Sequence, residues 1–400
     1  MIVSEISTQV RERIPVSEIH GEDYVSTDNM RPNFCGIKPS LSVPPTGTVT
    51  AYKAGDILLS NIRPYFRKTW LATHDGGCNA DVLCIRVKSP QCIPKYLYYL
   101  FTTDSFVNDY LKSCKGAKMP RGDVNRLLAF EFHLPDLPTQ LRIAGILGSL
   151  DEKIEINRRK IAELEALAKT LYDYWFVQFD FPDANGKPYK SSGGKMVWKE
   201  ELKREVPRGW EVGTIFEVSN LKVGGTPSKK IPNYWNGPIP FWGPTDYADG
   251  VFQLHTAETI SQTGFEHCSS DLLPEYTTII TARGSIGKVA MAGVPMAMNQ
   301  SCFAFQTHDD NFSFVYFLSK QLVEQLKVRS SGSVFDSFVS SDLKNVVLPV
   351  GTAETRRAFS KLANPIFRTI KNCSETINEL IQLRDTLLPL LMNGQVNVAG

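Results

Sequence analysis

The chain is written twice, and this limits its architecture more than anything in its composition. Leu147, Leu150, Ile154, Asn157, Ile161, Leu164, Ala168, Leu171 and Trp175 recur at alternating spacings of three and four. Such an a/d stripe asks for one long partner helix rather than a broad globular core. Shifted by 216 positions, the same seam reads Ile366, Ile370, Cys373, Ile377, Leu380, Arg384, Leu387 and Leu391. The spacing predicts a helix over 139–176, with Pro138 suited to its first turn. It places a second seam over 362–391, in a helix expected to begin near Pro365 with Asn364 as N-cap and Pro389 near its end.

The repeat extends beyond the helices. Each seam follows a Leu-Pro pair, Leu134-Pro135 and Leu348-Pro349, then an acid or amide and an arginine: Gln140 with Arg142, Glu354 with Arg356. At a shift of 220, Arg63 and Lys68 fall on Arg283 and Lys288, and Asn79 falls on Asn299. Each Asn leads into an apolar strand, Val82–Val87 or Cys302–Phe305. A period above two hundred residues marks a duplicated domain, because solenoid units run to a few tens of residues. The order is globular unit, long helix, globular unit, long helix. Antiparallel pairing of the helices would make a rod of roughly 40–50 Å at about 1.5 Å per residue. Asn157 is the polar a-type position of the first seam, a device that can fix register.

Four hundred residues at 42% apolar can bury cores for two or three domains. No apolar run reaches the roughly 18–20 residues needed to cross a bilayer, and Met-Ile-Val-Ser-Glu-Ile-Ser lacks the basic and apolar regions of a signal peptide. Eight cysteines are scattered without a Cys-x-x-Cys pair, which reads as reduced thiols in a cytoplasm. The formal net charge is only +2. A DNA-binding surface would therefore be a local arrangement of Arg and Lys, not a global field.

The expected fold class is α+β: two globular units of small mixed sheets with helices, separated by two long antiparallel coiled-coil helices. Residues 1–138 form the first unit, with a helix-like Tyr96–Leu111, and 139–180 the central helix. Residues 181–206 read as a linker, its Asp183–Gly194 stretch rich in Gly, Ser and Lys. Residues 207–350 form the second unit, opening at Pro207-Arg208-Gly209-Trp210 and holding a helix-like Phe314–Val328. Residues 351–393 carry the last helix.

Catalytic readings find little support. Pro182-Asp183 before Glu201-Leu202-Lys203, and Pro135-Asp136 before Asp151-Glu152-Lys153, imitate the residue order of a magnesium nuclease. Glu201 sits in a solvated charge run, however, and Asp151 on the seam helix. Asn61-Ile62-Arg63-Pro64-Tyr65 only brushes the base-gripping pattern of amino-methyltransferases. Gly224-Gly225-Thr226-Pro227 lacks the third glycine of a cofactor loop, and the six His lie far apart. Loops mixing cations and aromatics remain. Arg63, Arg67 and Lys68 flank Tyr65, Phe66 and Trp70, and Lys112, Lys115, Lys118, Arg121 and Arg126 cluster further on. Lys229 and Lys230 precede Tyr234-Trp235, and Arg283 and Lys288 bracket small residues. Cations on phosphates give affinity, and Arg or amide side chains on groove edges read sequence. For any single residue, a solvated surface cation is the bland alternative.

Taken together, these residues resemble the specificity subunit of type I restriction–modification enzymes, over nearly the whole chain. Val25-Ser26-Thr27-Asp28-Asn29-Met30 and the run from Gly55 to Pro64 are similar to its target recognition domain. Gly224–Ser228, Tyr234-Trp235-Asn236-Gly237, Ser261-Gln262-Thr263-Gly264, Arg283–Lys288 and Asn299-Gln300-Ser301 are similar to another version of it, and Leu150–Asn157 looks like the central conserved helix. The first unit lacks the Pro-x-Gly-Trp opening. The resemblance implies a chain that is not itself catalytic and binds double-stranded DNA at a two-part, asymmetric site. It implies assembly with two modification subunits and, through them, restriction subunits, with S-adenosylmethionine, ATP and magnesium held by those partners. Two other readings stay open: the recognition half of a fused restriction–modification enzyme, and a coiled-coil adaptor with no DNA role.

Overall fold

The computed structural model describes residues 1–248, 250–329 and 337–396. Contacts divide the chain into two compact units, Met1–Ile154 with Glu379–Gly400, and Glu155–Asn378. Both long helices therefore contribute to both units.

In the first unit, the main sheet has the strand order Ser7–Gln9, Val82–Val87, Ile57–Ser60, Thr69–Leu71, antiparallel throughout. All four residues of Ile57–Ser60 are buried, as the central position of a covered sheet requires. A second sheet runs Arg13–Pro15, Thr48–Tyr52, Gly76–Cys78, Tyr24–Val25, its last pair parallel. The helix expected over Tyr96–Leu111 is two helices, Pro94–Thr102 and Asp104–Leu111. They part at Thr103, whose side-chain oxygen accepts a bond from the Phe106 amide and starts a new helix.

The second unit repeats that sheet: Ser219–Val223, Cys302–Thr307, Thr278–Thr281, Val289–Ala292, with Phe252–Gln253 added at the edge. Small polar ties repeat with it. Asn79 takes the Asp81 amide on its side chain at 3.1 Å, and Asn299 takes the Ser301 amide at 2.9 Å. The Ser26 amide bonds the Asn29 side chain, and the Gly243 amide bonds that of Asp246. Ser7 and Ser219 each return a hydroxyl bond to the carbonyl four residues back, Val3 or Ile215. The duplication is thus carried by turn-fixing hydrogen bonds as well as by strand order. A single helix, Phe312–Arg329, replaces the broken pair of the first unit.

The long helices are Leu137–Tyr172, continued by a π-helical turn at Asp173–Val177, and Ala353–Met392. Asp136 caps the first by accepting the Thr139 amide, and Thr352 caps the second by accepting the Thr355 amide. The expected start near Pro365 is corrected: Asn364 is buried within the helix, accepting a bond from Ser313 Oγ and donating one to the Asp310 carbonyl. The amide side chain that suggested a cap instead joins two helices. The pairing of Gln140 with Glu354 is also corrected. Gln140 Nε2 donates to the Pro135 carbonyl and Arg356 Nη1 to the Gly351 carbonyl. Gln140 therefore corresponds to Arg356, at the same shift of 216 as the seams.

Seam residues line the packed faces. Leu150 and Ile154 are buried in the first unit, where Leu380 and Leu387 are half-buried. In the second unit Ile370 is buried, and Asn157, Ile161, Leu164, Leu171 and Ile377 are half-buried. Here Tyr172 and Trp175 meet Phe359, while Ala162 and Glu165 share a cavity wall with Phe367 and Ile370. Rising numbers on one helix meet falling numbers on the other, so the pair is antiparallel. The segment expected as a linker over 181–206 carries structure of its own: Met196–Lys199 pairs with Arg204–Pro207 as a hairpin, and Phe181 stacks on Trp210 and Tyr189. No described helix is long and apolar enough to cross a membrane.

Candidate nucleic-acid interface

The loop after Ile57–Ser60 carries the first cationic group. Arg63 and Arg67 both take left-handed backbone, at φ 48° and 54°, around a 3-10 turn at Pro64–Phe66. That conformation costs an ordinary residue about 1–2 kcal/mol, so the surrounding bonds must hold it. The Arg63 amide donates to the Pro120 carbonyl, and the Arg67 amide to that of Pro64. The turn leaves Tyr65 and Phe66 exposed, with rings 4.7 Å apart. Two aromatic faces beside a half-buried arginine suit stacking and groove contacts.

Structure sorts the sequence candidates into bound and available groups. Arg67 pairs with Asp104 at 2.7 Å. Lys68 donates to the Thr27 carbonyl at 2.6 Å; burial lowers its ammonium below the usual lysine value, Asp28 opposing and Lys38 adding to the shift. This lysine braces the loop from within. Arg121 pairs with Asp81 at 2.8 Å, and its backbone bridges to Lys115 and Ile62, tying the second cationic cluster to the first loop. Lys118 is exposed at the tip of that cluster, and Arg126 is paired to Asp109.

In the second unit the equivalent loop reaches the same place by different chemistry. Gly284 and Gly287 supply its positive φ values, 78° and 75°, with Gly287 at the position of Arg67. Arg283 and Lys288 are exposed, and Lys288 Nζ lies 5.0 Å over the Tyr247 ring. Lys229 pairs with Glu258 at 2.7 Å and lies 5.1 Å over the Trp235 ring. The two duplicated pairs therefore diverge. Arg63 and Lys68 are partly enclosed, whereas Arg283 and Lys288 reach solvent.

One site is visible only in three dimensions. Asp151, whose surroundings in sequence only imitate the residue order of a nuclease, accepts bonds from Tyr99 at 2.6 Å and from Arg384 at 3.1 Å. Arg384, a seam position, also pairs with Asp385. Burial opposes its charge, but the two carboxylates more than offset this and hold the guanidinium above its ordinary value. An arginine in a heptad stripe was the available signal. Among the described residues, no group of three or more His, Cys, Asp or Glu is placed to hold a metal ion.

The chain is 24% identical over 456 aligned positions to the type I restriction enzyme HindI specificity subunit of Haemophilus influenzae, covering 98% of each. It is 26% identical to the MjaIX specificity subunit of Methanocaldococcus jannaschii, over 87% of this chain and 79% of that one. Its fold is similar to a crystal structure of a type I restriction–modification S subunit from M. genitalium, with a TM-score of 0.60, 17% identity, and 98% and 95% of the two chains covered. The family model for the type I restriction modification DNA specificity domain matches twice, at residues 42–166 and 207–382. Those two matches fall one on each repeat, and the chain belongs to that family.

Proposed function

We propose that this chain is the DNA-reading specificity subunit of a type I restriction–modification system, recognising a split, asymmetric duplex site. The observation that carries the reading is the repeated loop at 63–68 and 283–288, set on equivalent strands of two equivalent sheets and flanked by cations in both copies. Duplicated folds make duplicated surfaces, and different side chains on those surfaces read different half-sites. In the first unit Arg63, Tyr65, Phe66 and Lys118 are the groups offered to DNA; in the second, Arg283, Lys288 and Lys229. Arg67 and Arg121 would contribute donors left over from their ion pairs, and Lys68 supports the loop.

The long helices would carry the two modification subunits, and through them the restriction subunits, with S-adenosylmethionine, ATP and magnesium bound by those partners in the cytoplasm. Glu155, Arg159 and Glu163 are exposed there, interleaved with exposed Ile156 and Leu167. Apolar side chains within a charged rim are what a partner surface needs. Exchange of residues 207–350 for another second unit, with the modified sites then sequenced, tests the reading. One half of the recognised sequence should change and the other persist. A change in both halves, or methylation without sequence preference, overturns it.

A further inference from the structure

The equivalent loops of the two units differ most at their tips. In the first unit the tip residues are Tyr65 and Phe66; at the shift of 220 their places are taken by Ser285 and Ile286. Tyr65 is 49% exposed and Phe66 40%. Ile286 instead packs onto the core of the second unit, and Ser285 is exposed but small. A single exposed ring needs no explanation. Two adjacent rings on a loop that the duplicate closes without either form an apolar tip that the fold does not require.

The tip is also held more firmly than a surface loop needs. The Asn33 and Phe34 amides donate to the carbonyls of Phe66 and Arg67, each at 2.9 Å. Asn33 and Phe34 are themselves left-handed, at φ 53° and 58°, so they join Arg63 and Arg67 in strained backbone around one turn. Strain of this kind collects where a ligand is gripped. Below the turn, the Tyr110 hydroxyl donates to the Asn61 side chain at 2.7 Å. Arg63 precedes the rings, and Lys68 follows them with its Nζ 5.8 Å from the Phe66 ring centre.

The angle between the rings narrows the use. Their planes are tilted 53° to one another, so they do not offer parallel faces on which successive unpaired bases could stack. A fixed apolar projection flanked by cations suits another task, parting two base pairs of a duplex while the cations hold the phosphates.

We propose that Phe66, backed by Tyr65, is a wedge that enters between two base pairs of the first half-site and kinks the duplex there. The second half-site, met by a loop whose Ile286 is turned inward, stays stacked. This rests on the DNA-reading function proposed above and adds a deformation to it. The wedge favours pyrimidine–purine steps, which part most readily, and so sets a preference that no hydrogen bond to a base writes.

The first half-site is the half that persists when residues 207–350 are exchanged. The test uses the full chain with its modification subunits and duplexes nicked at successive steps of both halves, which leaves every base in place. A nick at the wedged step makes parting easier and should tighten binding about tenfold. Nicks in the second half-site should give no such gain, and 2-aminopurine beside the wedged step should brighten on binding. Phe66→Ala should abolish both signals while each half-site is still recognised. Phe66→Leu should keep them, because aliphatic wedges also part bases, and Ser285→Ala should change nothing. Site-specific binding with no gain at any step overturns the wedge and leaves the reading in place. So does an equal gain in both halves, or one that survives Phe66→Ala. If Phe66→Ala instead releases the modification subunits on gel filtration, the tip is a protein contact and the wedge is again overturned. Binding without sequence preference by the parent chain brings down the reading on which the wedge rests.

Discussion

The two units build one sheet order around different interiors. In the first, the meeting of the long helices is locked by Asp151, Arg384 and Tyr99. In the second, the corresponding stretch is aromatic: Tyr172, Trp175, Phe176, Phe314, Phe317 and Phe359 stack or meet edge-on. What stays constant is the set of short polar ties, Asn79 and Asn299, Ser7 and Ser219, Gln140 and Arg356. A turn needs specific donors and acceptors at fixed positions, whereas a core needs only matched volume.

The strongest way to break this contrast is at the two locks. Phe359→Ala removes a fully buried ring and should cost about 4 kcal/mol in denaturant unfolding. Arg384→Met leaves Asp151 without its cation; because that carboxylate is partly exposed, the cost should be about 2 kcal/mol. A loss at Phe359 no larger than at Arg384 would mean the aromatic cluster is not the firmer lock.

The loops offer a second comparison. Gly287 has φ 75°, and an added Cβ would lie 2.8 Å from Val323 Cγ1 and 2.9 Å from Lys327 Cε. Gly287→Ala should therefore lose about 2 kcal/mol. Arg67→Gly relieves the same backbone strain but gives up the exposed Asp104 pair, so its net change should stay within about 0.5 kcal/mol. Thermal melts of both distinguish a backbone requirement from a side-chain one.

On DNA, Arg63→Glu and Arg283→Glu should each lower the salt slope of binding by roughly one for a lost phosphate contact. The exposed Arg283 should lose more affinity than the half-buried Arg63. Unchanged slopes in folded variants would return both arginines to the ordinary surface.

A pH-dependent effect concerns Glu165, whose Oε1 is buried with no hydrogen-bond partner among the described residues, in a cavity it shares with Lys169 and Lys320. Burial raises its carboxyl, against the Val251 amide and Lys320, which lower it. A raised carboxyl favours the folded state when protonated. That stabilisation is full below the ordinary value of 4.5 and is lost as pH rises through the folded-state value. Glu165→Gln mimics the neutral form, so it should add about 1 kcal/mol at pH 8 and nothing near pH 4. A gain that does not vary with pH would place the effect in packing instead.

The sequence by itself determined the duplication, the helical seams, the class of fold and the loops that carry the cations. Each of these is periodic or local: heptad spacing, a fixed shift, an Asn before an apolar run. Tertiary structure decided the rest. It moved the start of the second long helix from Pro365 back to Ala353, because Asn364 bonds sideways to Ser313 and Asp310 rather than to its own amides. It built a hairpin from Met196–Lys199 and Arg204–Pro207 in the segment expected as a linker, and stacked Phe181 on Trp210, through pairings that no local pattern announces. It also divided equivalent cations into paired and exposed ones. Whether Arg67 meets Asp104, or Lys68 meets the Thr27 carbonyl, depends on residues 37 and 41 positions away. Such partners are brought together only when the sheet closes, so their pairing energy has no trace in the spacing of the residues themselves.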